Sequence, residues 1–330
     1  MKNSHSLQKE LNLVKKLIKN EIIEEKTISD LYKYIFKSDG KRLRAKLSLI
    51  TSSLNRRKNK KRLKLAAIIE LLHTATLVHD DVVDESQTRR GVKSVNNIWS
   101  NAHGVLIGDY IYSKAFILMV EIGEPKILRE LANATNDISK GELIQLDALQ
   151  NLSINLKQLE AISYFKTGRL FEASAKTGAI LSGEDINFIN NISKSAKYLG
   201  ILFQLKDDLL DYSLSEEVIG KPVFQDMKEG KVTYPFYYAY KNADKNDKTK
   251  LKSYLGKNKF NIKEAYNLIH KLNGISETEL LASKYLNQAV DAANTIKNKH
   301  VKEEMLKLIN SALYRKKWAL YLSLVTAKMN

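Results

Sequence analysis

Long stretches without a chain breaker constrain this sequence more than any other feature. Its 330 residues include 14 Gly and 3 Pro, and a turn-dense β architecture needs far more punctuation than that. The prolines, Pro125, Pro222 and Pro235, stand where helical patterns stop or start. Apolar residues recur at helical spacing, as at Leu11, Val14, Leu17 and Ile18. The expectation is a mostly helical protein.

The pattern places one or two helices in residues 1–37 and an amphipathic segment over Lys41–Leu54. A long apolar helix follows from Arg62 to Glu85, then a loop-rich connection from Gly91 to Gly104. Further helices are expected over Val105–Ile122, Ile127–Gln150, Leu156–Leu181 and Glu184–Tyr212. A polar loop spans Gly220 to Gly230. Shorter helices follow over Val232–Asn242, Leu251–Leu255, Ile262–Leu272 and Glu277–Lys297, and Lys302–Ala327 closes the chain. There is no repeat at a solenoid period.

Composition excludes several chemistries. With no Cys, the chain has no disulfide, no Cys-ligated zinc or iron–sulfur cluster and no Cys nucleophile. No apolar run approaches the roughly 18 residues of a spanning helix, and residues 1–19 lack the apolar stretch of a signal peptide. The expected location is the cytoplasm. The net charge is +17, from 54 Lys+Arg against 37 Asp+Glu. Such an excess suits nucleic acid, an anionic membrane or phosphorylated substrates. The densest basic run, Arg56–Lys64, holds no aromatic residue and no nucleic-acid motif, so it reads as a solvated connection.

The chemistry begins at Asp80-Asp81-Val82-Val83-Asp84 and recurs at Asp207-Asp208-Leu209-Leu210-Asp211. On a helix, Asp80 and Asp84 share a face, while Asp81 lies about 100° round. Carboxylates stacked without a cation repel, and hard cations such as Mg²⁺ take oxygen ligands. A single acid-rich helix end is more often a solvated terminus than a site. Two copies in apolar surroundings are harder to dismiss, and two facing clusters would hold several Mg²⁺ and a diphosphate. Gln204, Asp207 and Asp211 form a polar stripe at spacings of three and four. Basic strings stand near both clusters: Gly40-Lys41-Arg42-Leu43-Arg44, Arg89-Arg90 and Gly220-Lys221-Pro222, with Lys231 beyond. Arg and Lys are the residues that clamp phosphates.

These residues resemble the trans-polyprenyl diphosphate synthase family, whose signature is the two Asp-rich motifs. The resemblance runs from about residue 10 to about residue 315. Within the family it is closest in kind to the bacterial octaprenyl diphosphate synthases, through His73–Gly91, Ile107-Gly108-Asp109, Gly141-Glu142-Leu143, Lys166–Ala173 and Tyr198–Tyr212. It implies an all-α fold: one domain over residues 1–330, an antiparallel bundle around a central cavity, with 316–330 as a C-terminal extension. Two or three Mg²⁺ are implied, with Asp80, Asp84 and Asp207 as direct ligands and Asp81, Asp208 and Asp211 in support. Lys41, Arg44, His73 and Arg90 match an isopentenyl diphosphate pocket. Arg89, Lys166, Thr167 and Gln204 match contacts to an allylic diphosphate, farnesyl or geranyl, and Lys221 and Lys231 match lysines that help neutralise it. The alternative for His73 is a satisfied core histidine, although its spacing of seven to Asp80 puts both on one face. Asp39, Ala45 and Tyr234 depart from the family pattern without removing a charged group.

The resemblance implies head-to-tail condensation of isopentenyl diphosphate onto the allylic diphosphate, in a homodimer. The product would be a long all-trans polyprenyl diphosphate, octaprenyl by resemblance, for a quinone side chain. Ala75 and Thr76, five and four residues before Asp80, are too small to form a floor under the growing chain, and Met119 is the candidate for a deeper stop. For Ala75 and Met119, plain core packing is the alternative reading. The apolar tail Trp318–Val325, flanked by Lys316, Lys317 and Lys328, reads as a last helix packed on the bundle or as a peripheral membrane contact. A terpene cyclase would replace acids of the second motif, a non-catalytic subunit would lose a motif, and a basic nucleic-acid binder would leave both clusters unexplained.

Overall fold

The computed structural model of the chain describes residues 2–21, 25–37, 40–54, 59–89, 91–212 and 223–313. It is all-α apart from one short hairpin. Arg90, Lys221, Asp39 and the tail 316–330 lie outside the described residues.

Two compact units are built from the chain. The first takes the described residues up to Thr135 together with Leu170–Ser193, and the second takes Asn136–Arg169 with those from Lys194 onward. In the first, α1 (Lys2–Asn20), α2 (Lys26–Ile35) and α3 (Leu43–Thr51) precede the long α4 (Asn59–Val83). At 1.5 Å per residue, α4 runs about 38 Å. Its middle is buried nearly all round: Leu65, Ala66, Ile68, Ile69, Leu71, Leu72 and Ala75 are apolar, and Glu70 is the buried acid among them. Such a helix belongs at the centre of a core rather than on its surface.

Two left-handed residues delimit the elements at the ends of this core. Arg42 (φ 48°) turns the chain into α3, and Glu85 (φ 49°) stops α4. The segment Gly91–Gly104, read from sequence as loop-rich, is largely structured. Thr88–Arg89 (β1) pairs antiparallel with Val92–Lys93 (β2), through a turn in which Gly91 takes φ 80°. A left-handed backbone is one that glycine adopts without steric cost. The short α5 (Val95–Ile98) follows, and α6 (Asn101–Ile122) begins four residues before the expected Val105. The Ser100 side chain explains the early start, since its oxygen accepts from the His103 backbone N–H and caps the helix.

Packing in this unit depends on small residues at close approaches. A Cβ on Gly108 of α6 would stand 2.2 Å from the His79 ring of α4. One on Gly178 would stand 2.0 Å from the Thr51 hydroxyl oxygen and 2.7 Å from the Ser48 carbonyl, both on α3.

The second unit includes the end of α7 (Pro125–Asp147), α8 (Leu156–Ser163), a π-turn (Tyr164–Gly168) and the first residue of α9 (Arg169–Ser182). The single helix expected over Leu156–Leu181 is thus broken by a wider turn. Most of α10 (Ile186–Asp211) follows, then α11 (Gln225–Lys228), α12 (Tyr234–Asn242), α13 (Lys245–Tyr254), α14 (Ile262–Lys271), α15 (Gly274–Asn294) and α16 (Lys299–Leu313). The helix expected over Leu251–Leu255 starts earlier, at Lys245, because Asp244 caps it through the Asp247 N–H. The core of this unit gathers Leu202, Leu205, Leu209, Phe236, Ala265 and Ile269.

The Gly178 contact is testable. Gly178→Ala forces a methyl against the α3 backbone and is expected to destabilise the protein by about 1–3 kcal/mol, as overpacking does. Urea denaturation of the variant beside the parent measures it.

Candidate active site

In the first unit the α4 helix delivers its acids to its last turn. Asp80 and Asp84 are half-exposed, whereas Asp81, turned about 100° away, is 5% exposed. A carboxylate that deep needs a partner. Arg89 supplies it from β1, with Nε and Nη2 at 2.8 and 2.6 Å from Asp81 Oδ1. Burial alone would lower the Arg89 guanidinium. The hydrogen bond and ion pair with Asp81, helped by Asp80 and Asp84, overturn that and hold it above its ordinary value. Asn96 of α5 donates to the Asp81 and Ser86 carbonyls at 3.1 and 3.2 Å, tying the chain after α4 to the helix that follows the hairpin.

Two turns back along α4 stands His73, one of the groups matched to isopentenyl diphosphate. Arg44, in the first turn of α3, donates through Nη1 to His73 Nε2 at 3.0 Å, which places the ring proton on Nδ1. Its guanidinium also lies over the Phe171 ring, 4.6 Å from the centroid. Glu70 accepts from the Ala45 N–H at 3.1 Å and so caps α3 from outside its own sequence. Lys41 is exposed just before α3. A pocket of about 80 Å³ opens beside these groups, lined by Arg42, His73, Leu77, Asp81, Arg89 and Tyr34. Of the residues matched to chain length, Ala75 and Met119 are 0% and 1% exposed within the apolar core. Thr76 is half-buried, and its hydroxyl donates to the His73 carbonyl at 2.8 Å.

In the second unit a chain of hydrogen bonds links the π-turn to α10. The Thr167 hydroxyl donates to Gln204 Oε1 at 2.7 Å, and Gln204 Nε2 donates to Asp208 Oδ1 at 2.8 Å. The sequence stripe Gln204–Asp207–Asp211 is therefore joined differently: Gln204 reaches Asp208, one turn on. Asp208 is 4% exposed. Burial first, then the Asp226 carboxylate, pushes its carboxyl well above the ordinary range, against the opposing hydrogen bond from Gln204. Asp207 is half-exposed. Asp211 accepts from the Gln225 and Asp226 N–H groups at 2.9 and 3.1 Å, holding the start of α11. Lys231 pairs with Glu229 at 2.6 Å.

Lys166 has two partners that sequence reasoning did not assign. Glu142 Oε2 lies 2.8 Å from its ammonium, and Gln145 Oε1 accepts from it as well. The available signal was the spacing of Glu142 and Gln145, three apart on α7 and so on one face. Glu70 was missed because nothing in its own helix pattern announces a cap for a different helix.

Among the described residues, no three acid or His side chains are already gathered as a ligand set. This donor arrangement fits Mg²⁺. That ion is commonly held by one or two carboxylates plus substrate phosphates and water rather than by an all-protein cage. No helix among the described residues is long and apolar enough to cross a membrane.

The raised Asp208 carboxyl has a measurable consequence. The folded chain keeps a proton there that the unfolded chain releases, so the linked stability is present in acid and is lost as pH rises through the raised value. Asp208→Asn keeps an acceptor for Gln204 and removes the charge. It is expected to raise Tm at pH 7, with the gain shrinking as pH falls toward about 4, where the unfolded carboxyl also takes its proton. Thermal melts at the two pH values read this directly.

With this geometry in view, the comparisons are specific. The polyprenyl synthetase family model matches residues 25–272, which include both acid motifs. The octaprenyl diphosphate synthase of Escherichia coli K12 is 33% identical over 290 residues, covering 87% of this chain and 90% of that one. The crystal structure of a decaprenyl diphosphate synthase from Rhodobacter capsulatus superimposes with a TM-score of 0.88 at 32% identity, covering 94% and 98% of the two chains. A polyprenyl synthase from Caulobacter crescentus, crystallised with calcium and isoprenyl diphosphate, gives 0.88 at 32% identity, covering 94% and 96%. Acid motifs at the ends of α4 and α10, basic groups near each and an all-α fold shared with these enzymes lead to one assignment: the chain belongs to the polyprenyl synthetase family and is a trans-polyprenyl diphosphate synthase, a transferase.

Proposed function

We propose that this enzyme condenses isopentenyl diphosphate head-to-tail onto an allylic diphosphate, farnesyl or geranyl, with Mg²⁺, within one domain spanning residues 1–330. The observation that carries the reading is the state of the acids: Asp80 and Asp84 half-exposed at the C-terminal end of α4, with Asp81 between them engaged by Arg89. The Caulobacter relative, crystallised with calcium and isoprenyl diphosphate, supports a cation and a diphosphate as the ligands here. Asp80, Asp84 and Asp207 are the proposed metal ligands, for two or three ions, with Asp81, Asp208 and Asp211 behind them. Bound Mg²⁺ would supply Lewis-acid stabilisation of the departing diphosphate.

The protein's own groups do the rest. Arg89, Lys166, Thr167 and Gln204 grip the allylic diphosphate, joined by Lys221 and Lys231, and charge on the leaving group is met by the fixed cations among them. Lys41, Arg44, His73 and Arg90 hold the second diphosphate so that the isopentenyl double bond faces the allylic carbon. Apolar walls keep the cationic carbon from water. The departing diphosphate takes the proton lost at the end.

The product is proposed as a long chain, octaprenyl, serving a quinone. The similarity to octaprenyl and decaprenyl synthases supports this length class. The enzyme is proposed to be a cytoplasmic homodimer with peripheral membrane contact and no nucleic-acid partner. The outer face of α6 supports the dimer, since Leu106, Ile117 and Val120 are 67%, 53% and 67% exposed there and solvent-facing apolar stripes of this kind mark interfaces.

Incubation of the purified protein with farnesyl diphosphate, labelled isopentenyl diphosphate and Mg²⁺, followed by chromatography, tests the reaction; products of about eight units are expected. Asp80→Ala and Asp207→Ala are each expected to lower turnover by about a thousandfold or more with the fold intact, because each removes a ligand that stabilises the leaving group. Near-normal Mg²⁺-dependent turnover in either variant contradicts the ligand assignment.

Product length is tested at Thr76 in preference to Ala75. A Phe at the fully buried Ala75 overpacks the core at about 1–3 kcal/mol, whereas Thr76 is half-buried and can accept a ring. Thr76→Phe is expected to give an active enzyme that stops at about three or four units, with the ring about one turn below Asp80. A full-length product shows that this level does not set the length.

A further inference from the structure

We propose that Gly141 and Glu142 are positioning residues of this transferase: they seat the π-turn Tyr164–Gly168 and thereby aim Lys166 and Thr167. A π-turn holds one residue more than the α-helical turn it replaces. That extra residue rotates everything after it by about 100° relative to everything before it. The turn also loses regular helical hydrogen bonding, and such turns cluster at functional sites, so its shape needs support from outside.

That support is supplied residue by residue. Phe165 packs on Gly141 of α7, where a Cβ would stand 2.6 Å from Phe165 Cβ and 3.1 Å from the Lys166 backbone nitrogen. The α7 backbone can therefore lie directly on the turn only because this position has no side chain. The next residue on α7, Glu142, takes the Lys166 ammonium at 2.8 Å, and Gln145 takes it from the following turn. Thr167 is held by Gln204 at 2.7 Å, in the hydrogen-bond chain that runs to Asp208. Three consecutive residues thus have four dedicated supports, three of them on one short stretch of α7. Lys166 is 18% exposed and Glu142 25%, so the pair is shielded enough for the carboxylate to fix the direction of the ammonium. Glu142 acts through Lys166, with no contact to substrate required of it.

This inference rests on the reading of Lys166 as a contact to the allylic diphosphate, and the experiment separates the two. Steady-state kinetics with each substrate varied in turn are measured for Gly141→Ala, Glu142→Gln and Lys166→Ala, and for the first two combined with Lys166→Ala. Gly141→Ala is expected to lower kcat/KM for the allylic substrate at least tenfold and to leave KM for isopentenyl diphosphate within twofold. Glu142→Gln keeps the shape of α7 even if Gly141→Ala folds poorly, and it is expected to lower the same parameter at least threefold. In the Lys166→Ala background the Glu142→Gln effect is expected to fall below twofold, and the Gly141→Ala effect to shrink to the part that acts through Thr167. Normal allylic kinetics in both single variants, alongside an impaired Lys166→Ala, overturn the positioning role alone. Losses of equal size with and without Lys166 also overturn it, because they show a general effect on the fold. Unimpaired Lys166→Ala overturns the reading of Lys166 and the inference with it.

Discussion

Carboxylates one helical turn apart repel, and α4 and α10 each end in three of them. Much of the local structure around each cluster answers that repulsion. In both motifs the second acid, Asp81 or Asp208, is turned inward and given a dedicated donor: Arg89 in one case, Gln204 in the other. The two solutions differ in charge. Arg89 neutralises its acid, while Asp208 has a neutral donor and a second carboxylate, Asp226, nearby, so it is kept protonated more readily. The outer acids, Asp80, Asp84 and Asp207, stay half-exposed. Each cluster therefore buries one carboxylate at the helix end and leaves others half-exposed, while Asp211 also holds the start of α11.

Apolar burial makes this placement rigid. A helix buried on all sides, such as the middle of α4, cannot slide or rotate without opening cavities. Its last turn is thus set by Leu65, Ile68, Ile69 and Leu72 many residues earlier. Glycines let neighbouring backbones approach the site without losing that rigidity, at Gly108 beside His79 and at Gly141 beside the π-turn.

Helical class, the positions of most long helices and both acid motifs were legible in the sequence, because helical spacing and i,i+4 carboxylates are local signals. The hairpin at Thr88–Lys93 was not, since strands of two residues carry no period. The π-turn was hidden for a related reason: one extra residue barely disturbs an apolar pattern, yet it changes where Lys166 points. The early start of α13 escaped because its first turns are polar and only the Asp244 cap marks them. Inside the candidate site, residue types were readable, but partners were not. Glu142 for Lys166 and Glu70 for the start of α3 depend on which helix faces which, whereas Gln204 reaches Asp208 rather than Asp207 by an i,i+4 contact within α10.

Among the described residues neither acid cluster gathers a finished metal site, and we propose that a diphosphate completes it. Thermal melts with Mg²⁺ alone, inorganic diphosphate alone and both together test this most directly. Little change is expected with either alone, and a clear rise in Tm with both, growing with concentration as linked binding requires. A rise with Mg²⁺ alone as large as that with both would contradict it.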